Sequence, residues 1–178
     1  MLARRNDLSR KMIRDLKENI LPFRFDRAVD YCGEILRGGT VVKNADKGLI
    51  LNARILWTFS TAYRVLKNGE CLSAADRAFE YLTNRFWDKE NGGGFYMLNA
   101  AGETVNPMKS TYTQGFMLYA FFEYDRAAGR QETFAYSERS FRDVPAYLNA
   151  ELRSVTKLCS KQSSRWGFAQ DDNDYAGL

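Results

Sequence analysis

Lys47-Gly48-Leu49-Ile50-Leu51-Asn52-Ala53-Arg54-Ile55-Leu56-Trp57-Thr58-Phe59 decides how this chain is read. The run continues to Lys67 and is apolar on most faces. It is too long for an ordinary strand, so it reads as a buried helix, with Asn68-Gly69 as its stop. A second apolar helix spans roughly Ser110 to Ala128 and ends at Gly129, and its preceding Lys109 lies 62 residues after Lys47. At that offset Asn52 meets Gln114, Ala53 meets Gly115, Leu56 meets Leu118, Trp57 meets Tyr119, Phe59 meets Phe121 and Arg64 meets Arg126. The unit is a hairpin, an inner helix, a turn and an outer helix. Such a unit cannot bury both faces alone, so its neighbours must stack on it.

The flanking segments fill in the units. Leu8, Met12, Ile13, Leu16 and Ile20 recur at helical spacing, and Pro22 marks the end of that first helix, Leu8–Leu21. Glu34-Ile35-Leu36, Gly38-Gly39 and Thr40-Val41-Val42 read as a hairpin. Ser73, with Asp76 three residues on, reads as the N-cap of an outer helix running to about Phe86. Gly92-Gly93-Gly94 opens a second hairpin, Phe95–Leu98 and Glu103–Val105, closed by Pro107. A fifth helix runs from Glu132 to about Tyr147, with Pro145 expected to end it early. After Tyr147 a third unit begins and decays: residues 149–178 read as a divergent tail, acidic over Gln170 to Asp174. The expectation is one domain over 1–178, an incomplete array of about two and a half units.

Composition narrows the function classes. Hydrophobic residues make up 45%, charged residues 27% and aromatics 14%, the last a high share that suits helix interfaces and sugar faces alike. The net charge of +4 is not focused: Arg4, Arg5, Arg10, Lys11, Arg14 and Lys17 are interleaved with Asp7, Asp15 and Glu18. That pattern disfavours a nucleic-acid surface and favours a solvated helix face. Cys32, Cys71 and Cys159 are odd in number and far apart, which argues against a disulfide framework or a zinc site and for a reducing cytoplasm. No stretch suggests a signal peptide or a membrane span. Gly92–Gly94 lacks the Lys and Ser/Thr of a phosphate loop.

The stretch Lys47–Phe59 resembles the inner helix of the N-acylglucosamine 2-epimerase family, most nearly its cellobiose 2-epimerase branch. Ile20-Leu21-Pro22-Phe23, Phe86–Asp88, Gly92–Tyr96 and Lys109–Ala120 resemble the same family, and the likeness runs from about Ile20 to Phe141. The resemblance implies an all-α fold, here a partial (α/α)6 barrel with short β-hairpins between its helices. It implies inversion at C2 of a reducing-end sugar through ring opening and a cis-enediolate, without metal or cofactor. It implies a mono- or disaccharide partner of the cellobiose kind. It also implies histidines as the acid–base pair, and this chain has none.

Arg54 stands in an apolar helix, with Thr58 and Thr61 at helical spacing behind it. The pattern alone is that of a solvent-facing stripe, whereas the resemblance makes Arg54 a substrate-binding arginine near the sugar C1 and C2 oxygens. The resemblance likewise makes Tyr112 a pocket tyrosine, where the pattern alone reads core packing. Asn52, Gln114 and Tyr119 are candidate pocket residues, the two amides more naturally supports for the hairpins. Trp57 reads as core, and Trp87 as shaping the glycine hairpin. Glu123, Asp125 and Glu138 read as solvated, so no catalytic carboxylate is assignable. General acid–base work at neutral pH needs a group that titrates near that pH. The expectation is a sugar 2-epimerase part that cannot act alone, or a non-catalytic carbohydrate-binding remnant. The open flanks of an incomplete toroid further predict self-association or a complementing chain.

Overall fold

A computed structural model of the chain describes residues 2–20, 33–37 and 39–166. The expectations placed on Pro22, on Cys32 and on 170–174 lie outside those residues.

Helix α1 covers Leu2–Asp15 and continues as a π turn over Leu16–Ile20. Strands β1 (Glu34–Ile35) and β2 (Val41–Val42) pair antiparallel, as the glycine signal between them predicts. Strand β3 (Lys47–Gly48) leads directly into α2 (Leu49–Leu66). Helix α3 covers Gly69–Tyr81 and ends in a π turn over Leu82–Phe86. Strands β4 (Met97–Leu98) and β5 (Thr104–Asn106) precede α4 (Thr111–Ala128), and α5 runs from Gln131 to Trp166.

Three sequence expectations need correction. Lys47 does not open the helix. Lys47 and Gly48 pair with Leu98 and Met97, making a three-stranded sheet of order β3-β4-β5 that ties the start of the first inner helix to the second unit's hairpin, while β1 and β2 form a sheet of their own. Two residues are too few to show a period-2 signal. Nor is Ser73 the cap of α3. Lys67 takes a left-handed conformation (φ 55°) that closes α2, and Asn68 caps α3 at once, its Oδ1 accepting from Glu70 N at 2.9 Å. The turn between inner and outer helix is thus two residues long, and Ser73 sits exposed inside α3.

Pro145 does not end α5, a single helix of 36 residues. Proline removes one backbone donor and strains the preceding turn, at a cost of about 3 kcal/mol. Anchors on both sides offset this: before it Thr133 is buried and donates to Asp125 Oδ1 at 2.7 Å, and after it Tyr147 Oη donates to Gly92 O at 3.1 Å.

The inner helices α2 and α4 pack on each other, with α3 outside α2 and α5 outside α4. Leu49, Leu56 and Phe59 from α2 meet Met117, Phe121 and Tyr124 from α4, all at most 1% exposed. Each such side chain contributes roughly 2 kcal/mol of hydrophobic stabilisation. Ala74, Ala75 and Ala78 give α3 a smooth face for close approach to α2. Phe79 binds the layers together, stacked on Tyr124 (4.6 Å) and edge-on to Phe121 and Tyr136 (5.5 Å each). The chain is therefore mostly helical, a part of an (α/α)6 barrel with short hairpins at one end. Among the described residues no helix is long and apolar enough to cross a membrane, and no cluster of three metal-ligating side chains occurs.

Candidate functional site

The inner helices run parallel and in axial register. The Arg54 guanidinium lies 4.9 Å from the Phe116 ring centre. Trp57 stacks on Tyr119 at 5.2 Å with 18° between the planes. Thr61 Oγ1 donates to Glu123 Oε1 at 3.2 Å, across a separation of 62 residues. All three contacts join equivalent positions of the two units. Helices related by rotation about a common axis bring equivalent side chains together where those side chains converge, towards the axis. These three tiers mark the side of the inner helices that would face the axis of a complete ring, its concave face.

The first tier lies nearest the hairpins. Arg54 is exposed, and among the described residues it has no carboxylate within ion-pair distance. Tyr112 is 65% exposed and meets the Phe116 ring edge-on at 5.1 Å. Arg54 and Tyr112 therefore share one face, joined through Phe116. The Thr58 hydroxyl donates to Arg54 O at 2.7 Å, which leaves its oxygen only as an acceptor. Tyr119 is 51% exposed and forms the second tier with half-buried Trp57.

Asn52 and Gln114 are each 2% exposed and serve the backbone. Gln114 accepts from Gly94 N and donates to Gly94 O, both at 2.8 Å, standing in for a strand partner. Asn52 donates to Gly48 O at 2.9 Å, and its Oδ1 is buried without a partner.

Glu123 contradicts its reading as a solvated acid: it is 7% exposed. It ion-pairs with Arg64 and, at 3.0 Å, with Arg126, so one carboxylate serves both copies of the repeated arginine. Its offset partner is Thr61, and a helical pattern alone gives no hint of that burial. Asp125 accepts from Thr133 Oγ1 at 2.7 Å, whereas Glu138 is exposed and pairs with Arg142 at 3.4 Å.

Behind the hairpin a second ion pair fixes the glycine loop. Lys109 Nζ donates to Asp88 Oδ2 at 2.5 Å and to Gly92 O at 2.7 Å. Asp88 also accepts from the backbone of Glu90 and Asn91. The Lys109 hydrogen bond, opposed by desolvation and helped by these donors, holds the Asp88 carboxyl well below the usual carboxylate range. Gly93 has φ 71°, and a Cβ there would lie 2.3 Å from Tyr147 Oη and 2.9 Å from Gln114 Oε1. Only glycine fits that approach. Trp87 is buried and bridges to Gly94, consistent with a role in shaping this loop. Outside it, Trp87, Lys89, Ala135, Tyr136 and Arg139 line an open groove of about 270 Å³. Cys71 is a free thiol, fully buried, whose pKa burial raises, so it is held away from thiolate chemistry.

Phe116 and the Lys109–Asp88 pair escaped the sequence reading. The repeat itself carried the signal for Phe116, which occupies in the second unit the position of Arg54 in the first.

The family model for N-acylglucosamine 2-epimerase (GlcNAc 2-epimerase) matches residues 31–169. The chain is 40% identical over 169 residues to the cellobiose 2-epimerase of Bacteroides fragilis, covering 92% of this chain and 43% of that protein. It is 38% identical over 134 residues to the cellobiose 2-epimerase of Ruminococcus albus, covering 73% and 34%. Among solved structures, a sugar epimerase from a ruminal bacterium aligns with a TM-score of 0.70 at 38% identity, covering 75% of this chain and 36% of that one. The cellobiose 2-epimerase from Spirochaeta thermophila aligns with a TM-score of 0.71 at 28% identity, covering 79% and 36%. A D-mannose isomerase, at 20% identity and a TM-score of 0.65, shares the fold. The chain thus spans 34–43% of the length of these curated relatives.

Proposed function

The chain belongs to the N-acylglucosamine 2-epimerase family, and from that premise we propose that its concave face holds the reducing-end ring of a cellobiose-like sugar between Arg54 and Tyr112. The observation that supports this most is the guanidinium of Arg54, exposed, seated on an aromatic ring and without a carboxylate among the described residues. A guanidinium so held keeps its N–H donors for sugar oxygens. If the C2 proton leaves, the same donors stabilise the charge that develops on the enediolate oxygen. Tyr112 offers a ring to the apolar C–H face of a pyranose and a hydroxyl for one of its oxygens.

The chain has no histidine. Proton transfer at C2 then draws its acid and base from outside these 178 residues. In this reading the chain is the substrate-holding part of a carbohydrate 2-epimerase, active when histidine-bearing sequence completes the ring. The same lack of histidine favours a second reading, a carbohydrate-binding protein without turnover.

NMR of cellobiose in D2O separates the two. The chain alone transfers saturation to the sugar protons, Arg54→Ala weakens the transfer, and no deuterium enters C2. Deuterium at C2 after adding the histidine-bearing remainder of a homologous epimerase supports the first reading, and its absence leaves the second. No transfer to cellobiose, mannose or N-acetylglucosamine overturns both.

A further inference from the structure

We infer that Phe116 is a positioning residue for Arg54: its ring is the seat that aims the guanidinium into the concave face. This rests on the sugar-binding reading above. An exposed arginine samples many rotamers, and a ligand must pay for ordering it unless something orders it first. The usual device is a carboxylate, but a carboxylate occupies the N–H fork that a sugar needs. An aromatic ring attracts the cation through its π electrons and uses none of those donors. Arg54 has the second device, 4.9 Å from the Phe116 ring, and among the described residues lacks the first.

The seat is itself fixed. Phe116 is half-buried, and Tyr112 meets its ring edge-on at 5.1 Å. Tyr119 follows on the same face of α4, held by its stack on Trp57. The backbone carbonyl of Arg54 is tied to Thr58, leaving the side chain as the adjustable part. A ligand that displaced Phe116 from Arg54 would lose the aim of the guanidinium, so sugar and ring are expected to use different edges of it.

The test uses the full chain labelled with ¹⁵N. The Arg54 Nε–Hε resonance, assigned by its loss in Arg54→Lys, is expected upfield of an unstacked arginine through the ring current of Phe116. Phe116→Leu, which keeps an apolar side chain, moves it to the unstacked position and weakens cellobiose binding about two- to five-fold, the scale of one exposed cation–π contact. Phe116→Trp retains both shift and affinity. Phe116→Leu in the Arg54→Ala background adds nothing. Phe116→Met takes the place of leucine should that variant fail to fold.

An unchanged resonance in Phe116→Leu overturns the inference, as does a loss of affinity that persists in the Arg54→Ala background. Affinity unaffected by Arg54→Ala defeats the sugar-site reading instead, while the resonance still decides whether Phe116 seats Arg54.

Discussion

The two units of the chain share a backbone plan and differ most where they touch. At the hairpin ends the repeated positions keep their chemistry: Asn52 and Gln114 both give their amides to backbone groups beside the strands. On the side where the inner helices meet through equivalent positions, those positions carry complementary groups. A cation faces a ring at Arg54 and Phe116, an indole stacks on a phenol at Trp57 and Tyr119, and a hydroxyl donates to a carboxylate at Thr61 and Glu123. Backbone support asks the same of each unit, so it keeps like residues. A shared face rewards unlike ones, because two arginines or two glutamates in contact would repel. The difference between the units therefore singles out the face to which sugar binding is assigned in the proposal above.

The largest effect expected of this comparison lies in the third tier. Glu123→Ala leaves Arg64 and Arg126 facing each other without their shared carboxylate, and Thr61 without an acceptor. Urea unfolding should show a loss of about 3 kcal/mol, at the low end for breaking a buried pair because both arginines are partly exposed. A loss below about 0.5 kcal/mol would mean that this tier does not join the units.

The hairpin ends come next. Gln114→Ala removes two hydrogen bonds and should cost about 2 kcal/mol, against about 1 kcal/mol for Asn52→Ala, which removes one and relieves a buried acceptor without a partner. Equal losses in urea melts would break the asymmetry.

The smallest effect is one of pH. The Asp88 carboxyl titrates lower in the folded chain than in the unfolded one, so its stabilisation is present above the ordinary carboxylate pKa and is lost as the pH falls towards the folded value. Between about pH 5 and about pH 3 the urea midpoint should fall further for the parent than for Asp88→Asn. Parallel curves would remove Lys109–Asp88 as an anchor of the glycine loop.

Much of this was legible in the sequence because periodicity and glycine signals are local. The second apolar run, its end at Gly129 and both hairpins sit where the pattern puts them. Non-local features were not legible. The pairing of Lys47-Gly48 with Met97-Leu98 depends on the second unit folding beside the first. The passage of α5 through Pro145 depends on Tyr147 reaching Gly92. The burial of Glu123 depends on two arginines, one of them from the other helix. At the candidate site, Arg54 and Tyr112 came from family likeness, and their joint contact with Phe116 emerged only with the coordinates.

The most direct test of the central claim is a titration of the ¹⁵N-labelled chain with cellobiose, followed residue by residue in ¹H–¹⁵N spectra. The account predicts shifts at the Arg54 side chain and at the amides of Tyr112 and Phe116, with Glu123 and the outer groove at Trp87 and Tyr136 unmoved. Shifts confined to that outer groove, or none at saturating sugar, would contradict it.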